Sequence, residues 1–181
     1  MWTKRAILIA GIALLAGVIA YVFLAFNTSM ENQLTLKSSA FKNGDMIPRR
    51  FTCDGENINP FLEIKNAPAN TKSFALVVDD PDATNGKTWD HWVMWNIDPK
   101  TQYIMEDNIP GEAVEGLNSW GKMKYGGPCP PHGAKPHRYI FTLSALDTVL
   151  DLPASSTKAD LEQVMQSHVI EKTTLMGLYG R

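Results

Sequence analysis

The chain has 181 residues, and its 17 Lys and Arg face 19 Asp and Glu, a formal net charge of −2 at pH 7. This balance carries no basic stripe, so it excludes a nucleic-acid partner from the expected functions. The chain beyond its apolar N-terminal run keeps about 155 residues, which is enough for one domain with a sizeable core.

The first predicted element is that apolar run. Residues 6–26 carry no charge, and as a helix at about 1.5 Å per residue they would extend roughly 31 Å, enough to cross a bilayer core. Lys4 and Arg5 precede the run, so we expect a cytoplasmic N-terminus and an extracytoplasmic domain, periplasmic if the source is bacterial. The sequence predicts a membrane anchor over 1–26, with a cleaved signal peptide as the alternative. A short stalk (27–33) and one domain (34–181) would follow.

Strand signals dominate the rest of the chain. Residues 34–38 alternate between apolar and polar, and residues 73–78 form a continuous apolar run, typical of a central strand. Residues 61–64, 91–97 and 139–146 complete the set of longer strand candidates. No strand is followed by a helix in a βαβ rhythm, so the sequence predicts a mainly β domain with an antiparallel sheet.

One helix is predicted near residues 157–170. Thr157 is a suitable N-cap, and Asp160 lies three residues later, as in a capping box. An apolar stripe with helical spacing then runs from Leu161 to Val169. These signals together predict one short helix in the C-terminal region.

A long loop precedes the last predicted strand. Residues 108–136 contain six glycines and five prolines and show no periodicity. Loops of this length inside a compact domain are usually functional or disordered. Apolar and aromatic residues such as Trp120 and Tyr125 gain nothing in a free loop, so we expect this loop to fold onto the sheet.

Two cysteines occur in the chain, Cys53 and Cys129. In an extracytoplasmic domain a disulfide between them is chemically permitted. Two buried thiols are the alternative, and the sequence leaves both open.

Chemically versatile residues cluster where predicted strands meet loops. Asp-Asp-Pro-Asp-Ala (79–83) follows an apolar strand, and Trp-Asp-His-Trp (89–92) opens the next one. Gly-Gly-Pro-Cys-Pro-Pro (126–131) precedes His-Arg-Tyr (137–139), which opens the last predicted strand. Each cluster alone also suits a structural role, since Asp-Pro-Asp is an ordinary turn sequence. Their shared position at strand ends predicts that they converge at one edge of the sheet.

The order and spacing of these motifs resemble a known family. Asp-Pro-Asp-Ala at 80–83, His-Trp at 91–92, Gly-Pro-Cys-Pro-Pro at 127–131 and His-Arg-Tyr at 137–139 are similar to motifs of the phosphatidylethanolamine-binding proteins. The bacterial, Raf-kinase-inhibitor-like branch resembles them most. The resemblance covers residues 34–181 and implies an antiparallel Greek-key β-sandwich with a few short helices.

The resemblance also implies a ligand site. Family members bind small anions, notably phosphate-type head groups, and the matching residues here are Asp80, Asp82, His91, Gly127, Pro128, His137 and Tyr139. Such a set suits an anion, because a glycine turn lets backbone N–H groups approach it closely and histidine and tyrosine donate hydrogen bonds. A carboxylate does not itself suit an anionic ligand, so it must have another role. We hypothesise that Asp80 orients a histidine or binds the ammonium of an ethanolamine head group.

The expected function is therefore a non-catalytic binding protein without a cofactor. Its partners would be a small phosphate-bearing anion or lipid head group, and an envelope protein. The alternative is an interaction module that inhibits a protease or a kinase. An enzyme is the weaker alternative, either a metal-dependent hydrolase built on Asp80, Asp82, His91 and His137 or a Cys129–His137 nucleophile.

Overall fold

The computed structural model describes residues 33–84 and 86–181. This part of the chain contains eight β-strands, one α-helix and a 3-10 helix at Arg49–Phe51. The strands are β1 (Thr35–Lys37), β2 (Leu62–Lys65), β3 (Ser73–Asp80), β4 (Trp89–Ile97), β5 (Tyr103–Ile104), β6 (Val114–Glu115), β7 (His137–Leu146) and β8 (Val169–Tyr179). The α-helix α1 spans Lys158–Met165.

The structure corrects the membrane predictions. The anchor predicted over residues 1–26 lies outside the described residues. Within residues 33–84 and 86–181 no helix is long and apolar enough to span a membrane, and α1 has eight residues. As predictions about this structure, the transmembrane helix and the single-pass location with an extracytoplasmic domain are therefore wrong.

Two antiparallel sheets make up the described fold. The smaller sheet has the order β1-β2-β5, and the larger has the order β6-β4-β3-β7-β8. The mainly β architecture with one C-terminal-region helix is therefore as the sequence predicted. Strand β3 lies at the centre of the larger sheet, between β4 and β7, which explains its continuous apolar run.

The two faces of β3 enter different parts of the core. Phe74, Leu76 and Val78 belong to a buried cluster that also contains side chains of the smaller sheet. Ala75 and Val77 point to the opposite face, where a second cluster includes side chains of α1. The larger sheet is thus covered on one face by the smaller sheet and on the other by α1.

The C-terminal region differs from the prediction. The capping box at Thr157 is present, because the Thr157 side chain accepts from the Asp160 N–H and the Asp160 carboxylate accepts from the Thr157 N–H. The helix ends at Met165, not near 170, because the chain turns there and begins β8 at Val169. Strand β8 was not predicted; it pairs along the whole of β7, and this long-range contact fixes its position.

Phe141 on β7 tests the packing between the two sheets. Its side chain is fully buried in the cluster between them. We expect Phe141→Ala to lower the free energy of unfolding by about 3–5 kcal/mol, because it removes apolar contacts and leaves a cavity. Val149→Ala is the matched control, since Val149 is 62% exposed, and should change the stability by less than about 0.5 kcal/mol. Equal effects in urea denaturation would contradict this packing.

Candidate functional site

Three strand ends meet at one end of the larger sheet. Strand β3 ends at Asp80, while its two antiparallel neighbours begin there, β4 at Trp89 and β7 at His137. Asp80 lies on the same face of β3 as the inner apolar residues of that strand. His137, Tyr139 and Phe141 lie together on the inner face of β7. At this end of the larger sheet, the apolar core between the two sheets is therefore followed by a group of polar residues.

A β-bulge brings His91 into the same group. The β3–β4 register pairs Val78 with Trp92 and shifts before the next pair, so His91 is an extra residue in β4. Bulges re-aim side chains that would otherwise alternate strictly. The His91 ring accordingly packs edge-on with the Tyr139 ring, with 5.1 Å between ring centroids, although the adjacent Trp92 also belongs to the inner core.

Asp80 and His137 form a buried ion pair or hydrogen bond. Their side chains are 5% and 9% exposed, and His137 Nδ1 lies 2.7 Å from Asp80 Oδ2. The other carboxylate oxygen, Oδ1, accepts the Asp82 N–H at 2.8 Å. Both oxygens of Asp80 thus accept hydrogen bonds from the protein. Because Nδ1 of His137 donates to Asp80, Nε2 is the ring nitrogen that can meet a ligand.

The His91 ring is held in a similar way. Its Nδ1 lies 2.6 Å from the Gly126 carbonyl oxygen, and the Gly126 N–H donates to the His91 carbonyl at 2.9 Å. A carbonyl can only accept, so Nδ1 carries the proton. Burial lowers the pKa of His91, so the imidazole is neutral at pH 7 and presents Nε2 as an acceptor.

Among the described residues, the Tyr139 hydroxyl lies near these groups without a well-formed hydrogen bond. The side chain is 1% exposed, and within the described part of the chain its oxygen makes no hydrogen bond of normal geometry, although the Asp80 carboxylate and the Cys129 N–H approach it. Burial raises the pKa of Tyr139, and the nearby Asp80 carboxylate raises it further. We refer to Asp80, His91, His137 and Tyr139 as the histidine cluster.

The Asp82 carboxylate is bound by Arg138. It accepts three hydrogen bonds from Arg138, from the backbone N–H at 3.0 Å and from the guanidinium at 2.8 and 2.6 Å. These bonds lower the pKa of Asp82 to about 2. Asp82 therefore fastens the turn after β3 to the start of β7. Arg138 is a residue of this site region for which the sequence analysis assigned no role.

Gly127 and Pro128 hold the loop to the 51–57 segment. The Gly127 N–H donates to Asn57 Oδ1 at 2.7 Å, and the Pro128 carbonyl accepts the Cys53 N–H at 3.1 Å. A Cβ on Gly127 would lie 2.8 Å from Thr52 Cα, so only glycine fits. The Gly127 N–H is therefore occupied by Asn57, and the ligand-binding role expected for Gly127 and Pro128 stays a prediction.

Cys53 and Cys129 are joined by a disulfide, one of the two states that the sequence left open. The bond connects the same two segments that Gly127 and Pro128 connect. The loop is further tied down where the buried Tyr125 hydroxyl donates to the Phe51 carbonyl at 3.0 Å. This part of the long glycine- and proline-rich loop is thus folded onto the domain, as its aromatic content predicted.

A small cavity lies beside the histidine cluster. Its volume is about 190 Å³, and its lining includes Gly127, both cysteines, Trp120, Lys122 and Lys124. Trp120 also packs edge-on against His91, with 5.0 Å between ring centroids.

The segment that carries these lysines is organised by the buried Asn118. Its side-chain oxygen accepts the N–H groups of Trp120 and Lys122, and its amide donates to the Lys124 carbonyl. Neither lysine could be assigned a role from the sequence, because only the tertiary fold brings this segment to the cluster. Asn118 was the one local feature that could have indicated an ordered turn here.

The metal-site hypothesis finds no geometric counterpart in this region. Among residues 33–84 and 86–181, no three His, Cys, Asp or Glu side chains converge as a metal ion would require. Asp80 and Asp82, two of the four residues named for a hydrolase, are bound by His137 and Arg138 instead.

The fold and the cluster define a β-sandwich protein with polar residues at one end of its larger sheet. The family model for phosphatidylethanolamine-binding protein matches residues 37–180, and the chain belongs to this family. A UPF0098 protein of Methanothermobacter thermautotrophicus is 46% identical over 153 residues, covering 82% of this chain and 99% of the relative. A UPF0098 protein of Aquifex aeolicus is 41% identical and covers 80% and 86%.

Two solved structures are similar throughout the domain. A phosphatidylethanolamine-binding protein homologue from Chlamydia trachomatis superposes with a TM-score of 0.79 at 37% identity, covering 83% of this chain and 99% of its own. YbcL of Escherichia coli, described as a member of the mammalian family, has a TM-score of 0.78 at 31% identity and covers 82% and 99%. Membership of the family, and of its bacterial branch, is thereby supported by sequence and fold together.

The Asp82–Arg138 pair makes a pH-dependent contribution to stability. The pKa of Asp82 falls from 3.8 to about 2 on folding, so the contribution is complete above about pH 4 and is lost as the pH falls towards 2. We expect Asp82→Asn to lower the urea midpoint at pH 6 and the gap from wild type to narrow at pH 3. The exposed Asp151→Asn is the control. A gap that stays constant from pH 6 to pH 3 would contradict the pairing.

Proposed function

We propose that this protein binds a small phosphate-type anion at the histidine cluster. The observation that carries the proposal is the buried Tyr139 hydroxyl, which makes no hydrogen bond of normal geometry in the described structure, although Asp80 and the Cys129 N–H lie near it. A buried donor without a partner costs about 1–3 kcal/mol, so its retention is explained by a ligand that it meets. An anionic oxygen is the natural partner, because it accepts a stronger hydrogen bond than a neutral acceptor does.

The two imidazoles support the same ligand. Each ring is fixed through Nδ1, His91 by the Gly126 carbonyl and His137 by Asp80, so each has Nε2 left for a ligand. A neutral imidazole held in this tautomer accepts at Nε2, while a protonated one donates. An anion therefore binds together with a proton, carried either by a histidine or by the phosphate itself. Affinity should rise as the pH falls.

The occupied carboxylate of Asp80 makes the site better suited to the phosphate part of a head group than to its amine. Both Asp80 oxygens already accept hydrogen bonds, from His137 Nδ1 and from the Asp82 N–H. An ethanolamine ammonium would have to compete for an occupied carboxylate. Of the two roles considered for Asp80, its geometry supports the orientation of His137. A free phosphate ester and a lipid head group share the chemistry that this site suits.

An exposed aromatic pair supports a second candidate function, binding of a protein partner. Trp89 and Trp120 are 36% and 42% exposed and pack edge-on against each other with 5.3 Å between centroids. Met123, which lies three residues after Trp120, is 52% exposed. Large exposed aromatic side chains are enriched where proteins bind each other. A partner that covers Trp120 would lie directly against the histidine cluster.

Calorimetric titration of the full chain with inorganic phosphate tests the anion proposal. We expect tighter binding at pH 6 than at pH 8. Sulfate should show the same direction, and because its charge is constant over this range, its pH dependence reports groups of the protein and not the ligand. Phosphoethanolamine should bind no more tightly than phosphate, since Asp80 is occupied.

Tyr139→Phe is the decisive variant. It removes the hydroxyl and keeps the ring, and we expect it to weaken phosphate binding by roughly tenfold or more. Tyr103→Phe is the matched control, because Tyr103 is 49% exposed on β5 in the smaller sheet. Unchanged affinity in Tyr139→Phe, or no binding of phosphate at either pH, would overturn the anion proposal and direct attention to Trp120 and a protein partner.

A further inference from the structure

The disulfide between Cys53 and Cys129 is accessible from solution. Cys129 is exposed and Cys53 is partly exposed, and both line the cavity of about 190 Å³. Lys122 and Lys124 line the same cavity, and their positive charges favour the approach of an anionic nucleophile. A thiolate is such a nucleophile, and exposed disulfides are the ones that exchange readily with thiols.

The two sulfurs have different surroundings. Arg181 places Nη1 3.5 Å from Cys53 Sγ, and its Nε donates to the Pro130 carbonyl at 2.5 Å, which fixes the guanidinium in position. An adjacent guanidinium stabilises a thiolate over a thiol. Cys53 is therefore the better leaving group, and Cys129, the more exposed residue, is the easier one to attack.

Asp54 binds the same guanidinium, and Tyr179 and His132 lie near Asp54. Asp54 Oδ1 accepts from Arg181 Nη1 at 3.1 Å, and Oδ2 accepts the Tyr179 hydroxyl at 2.6 Å. These two hydrogen bonds, the one from Tyr179 foremost, lower the pKa of Asp54, with a smaller contribution from the charge of His132. The Asp54 carboxylate thus offsets part of the Arg181 charge, but the guanidinium is the group that contacts the sulfur.

We propose that the Cys53–Cys129 bond is a reactive disulfide that small thiols open in one direction. The thiolate of the incoming thiol attacks Cys129 Sγ and forms a new S–S bond there. The bond to Cys53 breaks, and its electron pair leaves on Cys53 Sγ, beside Arg181. A second thiolate then attacks the incoming thiol's own sulfur, which releases Cys129 as a thiolate and the two thiols as their oxidised disulfide.

Opening the disulfide also loosens the loop that it holds. The hydrogen bonds from the Gly127 N–H to Asn57, from the Cys53 N–H to Pro128 and from the Tyr125 hydroxyl to Phe51 would then still join the two segments. We expect faster amide hydrogen exchange at residues 126–129 once the bond is open. This expectation is independent of the proposed anion site.

The direction of opening is tested on the oxidised full chain with reduced glutathione. The reaction is stopped early by alkylation at acid pH, and peptide mass spectrometry locates both modifications. We expect the glutathione adduct on Cys129 and the alkyl group on Cys53, in at least tenfold excess over the reverse. An adduct found mainly on Cys53, or equally on both, would overturn the proposal.

Arg181→Gln tests the cause of the direction. We expect the first opening step to slow on the order of fivefold, because the leaving thiolate loses a charge-assisted hydrogen bond. Arg138→Gln is the matched control; it also removes an arginine from a carboxylate pair but leaves the sulfur's surroundings intact, and its rate should equal that of the wild type. Equal rates in Arg181→Gln and the wild type would contradict the role of Arg181.

A second variant keeps the test decisive if Arg181→Gln fails to fold. Asp54→Asn removes the negative charge beside Arg181 and retains the shape of the side chain. The full charge of Arg181 then acts on Cys53, so opening should accelerate by a few fold. Slower opening in a folded Asp54→Asn protein would overturn the assignment of Cys53 as the leaving group.

Discussion

The buried contact between Asp80 and His137 is the interaction on which the arrangement of the polar end of the sheet depends. An ionised carboxylate removed from water costs several kcal/mol unless hydrogen bonds replace the lost hydration. Asp80 receives two, from the His137 ring and from the Asp82 N–H, and so fixes three things together. It holds the end of β3 against the start of β7, it closes the turn after β3, and it sets the tautomer of His137.

The rest of the cluster follows from the strands that this contact aligns. Tyr139 is two residues after His137 on the same face of β7, so its hydroxyl reaches the same buried space. The bulge in β4 turns His91 towards Tyr139, and the Gly126 carbonyl then holds the His91 ring. Gly126 in turn belongs to the loop that the disulfide ties to the domain. An opened disulfide would therefore act on the cluster through Gly126 and His91.

Local sequence signals predicted the elements whose position depends on a single strand or a single helix cap. The apolar run of β3 predicts a central strand, and Thr157 with Asp160 predicts the start of α1. Strand β8 and the end of α1 escaped prediction, because long-range pairing with β7 decides where both lie. The N-terminal run gave a strong local signal for a helix across a membrane, and the structure contains no such helix in the part that it describes.

The site was predictable as a set of residue types and not as a set of contacts. The motifs indicated that Asp80, His91, His137 and Tyr139 would come together, and the antiparallel strand ends achieve this. Motif order cannot show that Arg138 binds the carboxylate of Asp82 or that Asn57 binds the N–H of Gly127, since those partners are 56 and 70 residues away. The same limit applies to Lys122 and Lys124, which only the tertiary fold carries to the cavity.

Nitrogen-15 NMR of the imidazole rings, recorded while phosphate is added, tests the proposed site most directly. Ring nitrogens report hydrogen bonding and protonation one atom at a time. We expect the Nε2 signals of His91 and His137 to move with a single binding curve, while both Nδ1 signals keep their hydrogen-bonded positions. Phosphate binding that leaves both Nε2 signals unchanged would contradict the account, because the anion would then lie away from the histidine cluster.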